Sequence, residues 1–402
     1  MKYDIIIIGG GPTGLSFATS LSHSDLRVLV IEKQKRAALQ APEHDGRDIA
    51  LTHLSMELLK KMGVLSRLPE ESISQIKSAN VINGDSPYNL TIDSKTESVE
   101  ALGYIIPNYL IKKALFEEVT ALDKVEILYD TSVDHIEELK DCSEVTLSNG
   151  SQLEAKLVVA ADSRFSESRR KQGISSSMLD FGRVVIVSRM EHEKSHNSIA
   201  HECFLYGRTL AVLPLSGNCS SIVVTVSADQ AEGLLQLSKN DFCQRVKSWF
   251  DYRLGEMTMV GERHSYPLVA VHAKQFVTSR YALLGDAAVG MHPVTAHGFN
   301  LGLRGQNTLY KEIISAQKRG LDIGSLSVLK PYETKHMSVT KPLYYGTNEI
   351  VKLFTNESMA VKLIRNSVLR FSNNFPPIKK MIANTLTEKS DSKKLPFPTF
   401  LN

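Results

Sequence analysis

The chain has 402 residues, of which 42% are hydrophobic and 23% charged, with a formal net charge of +3. Such a length predicts two or three domains able to enclose a large ligand, the composition excludes wholesale disorder, and the small charge excludes nucleic acid as the expected partner. Cys142, Cys203, Cys219 and Cys243 show no Cys-x-x-Cys spacing, so neither a zinc site nor a disulfide framework is expected.

The opening KYDIIIIGGGPTGLSFATSL is a continuous apolar run, then Gly9-x-Gly11-x-x-Gly14, then Leu15, Ala18 and Leu21 at helical spacing. This predicts a strand, a tight turn and a helix. Gly9 permits the turn, Gly11 lets the backbone approach a pyrophosphate, and Gly14 lets the helix pack closely on the strand. The helix start offers amides and a partial positive charge to the phosphates. Pro12 loses little there, because first-turn amides lack intrahelical partners and its φ is already set. The apolar run 5–8 is too short for a signal peptide, and no stretch approaches the roughly 18 apolar residues of a membrane span. The expected location is therefore the cytoplasm, with any membrane contact peripheral. A second apolar run, RVLVIEK, ends in Glu32, where a carboxylate accepts hydrogen bonds from ribose hydroxyls. The pattern specifies a dinucleotide with a free 2′-hydroxyl and leaves NAD and FAD both open.

Further along, VVIVSRM, LAVLPL and SIVVTVS are short β-branched runs separated by polar turns, the pattern of an antiparallel sheet. Pro214 is expected to mark a strand end. RYALLGDAA then predicts another buried strand, closing on Gly285 and Asp286, where the carboxylate can accept from a polyol such as ribitol. After His292-Pro293, the run Gly298-Phe299-Asn300 followed by Leu301 and Leu303 predicts a second helix start. Its amides suit a flavin whose N1 and C2 carbonyl region becomes negative on reduction, whereas NAD needs no second site of this kind. Beyond residue 330, GTNEIVKLF and AVKLIRNSVLRF repeat apolar and basic residues at helical spacing. Such a tail packs on its own domain or rests on anionic lipid or a partner enzyme.

These motifs, spread over nearly the whole chain, resemble the flavin-dependent aromatic hydroxylases, FAD monooxygenases of ubiquinone biosynthesis. GMHPVTAHG is similar to the demethoxyubiquinol hydroxylase branch. The family's opening Gly-x-Gly-Pro-x-Gly matches Gly9 through Gly14, its acidic ribose ligand matches Glu32, and its Asp-x-Arg segment matches DGRDIAL, with Arg47 toward the flavin. The middle signature matches Asp162, Ser166 and Arg169 in AADSRFSESRR. The late signature matches Gly285, Asp286, His292, Pro293, Gly298, Asn300 and Gly302. The chain departs from the family at Ser163, where glycine is usual, at Val289, where His is common, at His297, which replaces a Gln, and at Gly305, where many relatives have Asp.

The resemblance implies an α/β fold: a Rossmann-type FAD-binding domain of the aromatic-hydroxylase kind, an inserted antiparallel-sheet substrate domain of α+β character, and a C-terminal helical tail. The expected divisions are 1–75, 100–175 and 275–325 for the FAD-binding domain, 76–99 and 176–274 for the substrate sheet, and 326–402 for the tail. It also implies a cofactor set of Gly9, Gly11, Pro12, Thr13, Gly14, Glu32, Arg47, Val133, Asp162, Asp286, Gly298, Phe299 and Asn300. His292 and Pro293 fall at the reacting centre, with no metal. The implied reaction uses NAD(P)H and O2 to hydroxylate a phenol or benzoquinol ring of a polyprenylated ubiquinone precursor through a flavin hydroperoxide. His292 reads equally well as a turn residue bonded to a carbonyl, and His297 as a helix cap. Other readings are a flavin-dependent prenyl-chain reductase, a non-catalytic FAD-binding component of a lipid-biosynthesis complex, and a soluble NAD-dependent dehydrogenase. Association with other ubiquinone-biosynthesis enzymes belongs to the same expectation.

Overall fold

The computed structural model describes residues 2–84, 89–205, 207–292 and 297–355, with the side chains of 350 and 352–355 left aside. In chain order the first half contains β1 (Lys2–Ile8), α1 (Pro12–Leu21), β2 (Val28–Ile31), α2 (Arg36–Gln40), β3 (Asp48–Leu51) and α3 (His53–Lys61). Next come β4 (Ser74–Ile76), β5 (Ser78–Asn83), β6 (Leu90–Asp93), β7 (Gly103–Pro107), α4 (Asn108–Thr120), β8 (Val125–Leu128), β9 (Val133–Glu138), β10 (Ser143–Leu147), β11 (Gln152–Ala160) and α5 (Glu167–Lys171). The second half contains β12 (Ser176–His192), β13 (Ile199–Leu205), β14 (Arg208–Pro214), β15 (Cys219–Ser227), α6 (Ala228–Gln236) and α7 (Lys239–Trp249). It closes with β16 (Met257–Ala273), β17 (Val277–Thr278), β18 (Tyr281–Leu283), β19 (Val289–Gly290), α8 (Gly298–Lys318) and α9 (Leu326–Thr355).

Among the described residues the strands form three sheets. The first runs β17-β18-β11-β1-β2-β8, with β9 and β10 attached beside β11. From β18 to β8 every pair is parallel. Parallel strands buried on both faces read as continuous apolar runs, which is why Ile5, Ile6 and Ile7 and all of β2 lie inside. The chain leaves β1 toward β2 on one side and reaches β11 on the other, so the order reverses at β1, a switch point that opens a crevice at the carboxyl ends of the strands.

The second sheet runs β19-β16-β12-β15-β14-β13-β5-β6 and is antiparallel except where β13 meets β5. The three apolar runs expected to form a sheet are its β12, β14 and β15, and β14 ends on Pro214. One face packs Ile186, Leu210, Val212, Ile222 and Val224 against Phe242, Val246 and Phe250 of and beside α7. A small third sheet, β3-β7-β4, joins the segment after residue 47 to the rest.

The C-terminal helix differs from expectation. Instead of starting near Gly346, α9 begins at Leu326 and runs through Pro331 and Pro342. An interior proline costs about 3 kcal/mol. Burial of Leu329, Tyr332, Leu343 and Tyr344 offsets it, and Glu333 accepts from the amides of Phe276 and Val277 at 2.7 and 3.3 Å. The second expected tail helix lies outside the described residues.

Helix α1 sits on β1 because Gly14 has no side chain: a Cβ there would lie 2.0 Å from the Gly9 carbonyl oxygen. Replacing Gly14 with Ala should force α1 off the strand and cost about 1–3 kcal/mol of overpacking, read as a lower thermal midpoint.

Candidate active site

Pairing register brings the ends of five strands to one level. Leu283, Ala160, Ile8, Ile31 and Leu128 lie in a row across β18, β11, β1, β2 and β8. Just past that row stand Asp286, Asp162, Gly9 and Glu32. Residues almost 280 positions apart in sequence therefore share one edge.

At the centre of the row, Gly9 turns with φ +104, and a Cβ on it would meet the Ala161 carbonyl oxygen at 2.6 Å. Gly11 faces open space, with nothing within 4 Å of where a Cβ would be. It precedes Pro12, the first residue of α1. Here a phosphate can reach the backbone at the positive end of a helix. Thr13 points toward the late segment, its hydroxyl 2.7 Å from the place a Cβ would take on either Gly285 or Gly302. Ser20 of α1 also bonds Gln306 of α8 at 3.0 Å.

Glu32 is buried, and its two carboxylate oxygens accept from the amides of Gly10 at 2.6 Å and Gln34 at 2.8 Å. Each oxygen keeps a lone pair for a ribose hydroxyl. Val133 lies at the same end, two residues after Thr131, whose amide donates to the Glu32 carbonyl at 3.1 Å. The open face at Gly11, the tight faces at Gly9 and Gly14 and the acid at the end of β2 together fit an adenine dinucleotide.

The middle signature acts on the protein itself. Asp162 accepts from the Ser166 hydroxyl at 2.5 Å and from the Ser168 hydroxyl and amide at 2.9 and 3.1 Å. Both of its oxygens thus hold the turn into α5, and Ser166 caps that helix through the Arg169 amide. Arg169 is fully buried and donates to the Ala287 carbonyl at 2.7 Å, fastening the end of β11 to the end of β18. Ser163 adopts φ +92, a left-handed region that favours glycine, which accounts for the glycine usual at this position.

At the late end, Asp286 is paired with Arg164 at 3.1 Å, and Arg164 also donates to the Val269 carbonyl at 2.6 Å. No sequence pattern links Arg164 to an acid 122 residues away. The glycine that admits it is Gly290, where a Cβ would stand 2.8 Å from Arg164 Nε. Gly298 and Phe299 open α8 as expected, and Asn300 there turns its side chain to β3, donating to the Ala50 carbonyl at 2.9 Å and accepting from the Thr52 amide at 3.1 Å. His297 occupies the cap position, but its side chain makes no capping bond. Gly305 leaves room for His336 of α9, whose Nε2 would be 2.8 Å from a Cβ.

Arg47 lies over the Tyr266 ring at 5.3 Å and is paired with Asp45 at 2.7 Å. Burial pushes the Asp45 carboxyl up, but Arg47, Asn108 and Lys112 outweigh it and hold it well below the ordinary carboxylate range. His292 is buried edge-on to Phe181, ring centres 5.0 Å apart. Burial, with help from the Arg164 and Arg183 charges, lowers its pKa to about 4, so the imidazole is neutral near pH 7. Pro293 lies outside the described residues.

An adenine dinucleotide crevice beside a second, antiparallel sheet is the arrangement of a dinucleotide-dependent oxidoreductase. A sequence model described as FAD binding domain matches residues 2–343. The ubiquinone hydroxylase UbiM of Neisseria meningitidis is 48% identical over 388 residues, spanning 96% of this chain and 84% of the relative. The ubiquinone hydroxylase UbiL of Rhodospirillum rubrum is 34% identical over 378 residues, 94% and 88% of the two chains. The p-nitrophenol 4-monooxygenase PnpA of Pseudomonas putida superposes with a TM-score of 0.75 at 18% identity, covering 96% of this chain and 98% of that one, and shares the fold. The chain belongs to this FAD-binding family and is an FAD-dependent monooxygenase homologous to the ubiquinone hydroxylases.

Two measurements follow from the geometry. Glu32→Ala should weaken FAD binding to the apoprotein by roughly ten- to a hundredfold, the worth of charge-assisted hydrogen bonds, in a flavin-fluorescence titration. For His292 the folded pKa of about 4 lies below the ordinary 6.5, so the unfolded chain takes up the proton first. Its contribution to stability is complete above pH 6.5 and is lost as pH falls toward 4. His292→Asn, which does not titrate, should lose less thermal stability than the parent across that window.

Proposed function

We propose that this monooxygenase hydroxylates the aromatic ring, phenol or benzoquinol, of a polyprenylated ubiquinone precursor, with NAD(P)H as reductant and O2 as oxidant. The observation that carries the reading is the 48% identity, over 96% of the chain, to a protein named a ubiquinone hydroxylase. The second sheet supports it. Around the buried Val185, Val187 and Leu268, the partly exposed Phe181, Val223 and Tyr266 make the rim of an apolar cluster beside Gly46 and Arg47, a border along which a flat ring can lie.

When bound, the flavin supplies the activation of dioxygen. The chain's own residues bind and shield. Gly11 and the start of α1 receive the phosphates, Glu32 the adenosine ribose, and Asp286 the polyol once its contact with Arg164 is shared. The apolar face keeps water from the reacting oxygen. Neutral His292, beside Phe181, borders that face without adding a charge. In this reading the enzyme works in the cytoplasm at the surface of the membrane that holds its lipid substrate, in contact with other enzymes of the same synthesis. No described helix is long and apolar enough to cross a membrane, so substrate would be reached from the surface.

The test is to reduce the holoenzyme anaerobically with NADPH or NADH, then admit O2 with a short-tailed prenylphenol or quinol, following flavin absorbance and product mass. A gain of one oxygen atom is expected. A gain of two hydrogens would replace this reading with prenyl-chain reduction, and reoxidation without any product would remove the substrate assignment.

A further inference from the structure

Arg164 joins the two large sheets at the coenzyme edge. Its backbone lies just past the end of β11, in the first sheet, while its side chain crosses to the second. There Nη1 donates to the Val269 carbonyl of β16 at 2.6 Å. The stem runs over Gly290 of β19, where a Cβ would stand 2.8, 3.1 and 3.3 Å from Arg164 Nε, Cγ and Cδ. Val269 is opposite Asp180 and Gly290 opposite Val271, so both anchors belong to paired strands rather than to loops. The backbone is held as well, since buried Arg169 donates to the Arg164 carbonyl at 3.3 Å.

The remaining arm, Nη2, donates to Asp286 Oδ2 at 3.1 Å. Asp286 sits in a single 3₁₀ turn, Gly285–Ala287, and among the described residues its carboxylate has no partner but Arg164. The last torsion of an aspartate has no sharply preferred angle, so an acid with one partner takes its direction from that partner. Arg164 does not follow the acid in return. It keeps a carbonyl, a glycine slot and a backbone bond wherever Asp286 turns. The second carboxylate oxygen, Oδ1, is left with its lone pairs for a ligand. The two side chains are 25% and 37% exposed, so as an ion pair alone they add little to the stability of the fold.

We propose that Arg164 is a positioning residue: it turns the Asp286 carboxylate so that Oδ1 is presented to the polyol of the coenzyme, and it sets that acid from the second sheet rather than from the acid's own loop. This rests on the reading above in which Asp286 holds the polyol of FAD. The guanidinium suits the task because its N–H groups have fixed relative directions, so the bond to Val269 fixes where the bond to Asp286 points. A lysine carries the same charge on a flexible stem and cannot serve both partners from one rigid fork. Gly290 belongs to the same device, because a side chain there would push the guanidinium aside. The strand that brings Leu268 to the apolar rim thus also fixes where the coenzyme's polyol is held.

The test is a pair of double-mutant cycles, read by flavin-fluorescence titration of the full-length apoprotein with FAD. Asp286→Ala should weaken FAD binding by roughly ten- to a hundredfold, and Arg164→Ala by roughly five- to tenfold. With Asp286→Ala already in place, Arg164→Ala should cost less than about twofold, because nothing is left to position. Gly290→Ala should imitate Arg164→Ala in the parent and change nothing once Arg164→Ala is present. This second cycle decides the matter if Asp286→Ala binds too little FAD to titrate. Arg164→Lys should recover only part of the lost affinity. Losses that simply add in either cycle, or tighter FAD binding on removal of Arg164, overturn the positioning role alone. Full FAD affinity in Asp286→Ala overturns the polyol assignment and this inference with it.

Discussion

Parallel pairing fixes β18, β11, β1, β2 and β8 in a register that ends all five strands on one row, from Leu283 to Leu128, and the coenzyme site depends on that alignment. Chain segments from opposite ends of the sequence can serve one extended ligand only if their loops leave the sheet at the same height. Small residues make the final closure possible. Thr13 fits between Gly285 and Gly302 because neither carries a side chain. Arg169 then locks the loops together, since its buried guanidinium reaches the Ala287 carbonyl beyond β18.

The second sheet divides its labour by face. Helix α7 covers one side with Phe242, Val246 and Phe250, giving that sheet its own core. The other side is left for the 44–48 segment, held by the buried Asp48–Arg189 pair and by the Tyr266 hydroxyl donating to the Asp45 carbonyl at 2.6 Å. Burying a charge pair does little for net stability, while breaking one is costly. The pair therefore acts mainly to fix where this segment, and Arg47 with it, crosses the sheet. A rigid apolar face opposite a coenzyme crevice is the arrangement an oxygen-inserting enzyme requires, because it orders the ring and excludes water together.

The parts of this arrangement that were legible in the sequence are those encoded locally. Gly9, Gly11, Gly14 and Glu32 lie within one strand-turn-helix-strand unit, and each has a short-range physical reason to be the residue it is. The start of α8 and the strand ending at Gly285 are legible for the same reason. Contacts between distant segments were not. Arg164 and Asp286 carry no shared spacing, the β3-β7-β4 sheet is built from runs too short to stand out, and α9 continues through Pro331 and Pro342 because packing overrides local preference. Asp162 is a mixed case. Ser166 followed three residues later by Arg169 in a cap geometry is a local signal, yet the two serines that take up its carboxylate are visible only in three dimensions.

A crystal structure of the FAD-loaded protein tests the central claim most directly. The account predicts the pyrophosphate against the Gly11 backbone at the start of α1, the adenosine ribose on Glu32, and the polyol chain within hydrogen-bond reach of Asp286. A coenzyme contacting the amino-terminal glycines while Asp286 stays remote from it would contradict the account.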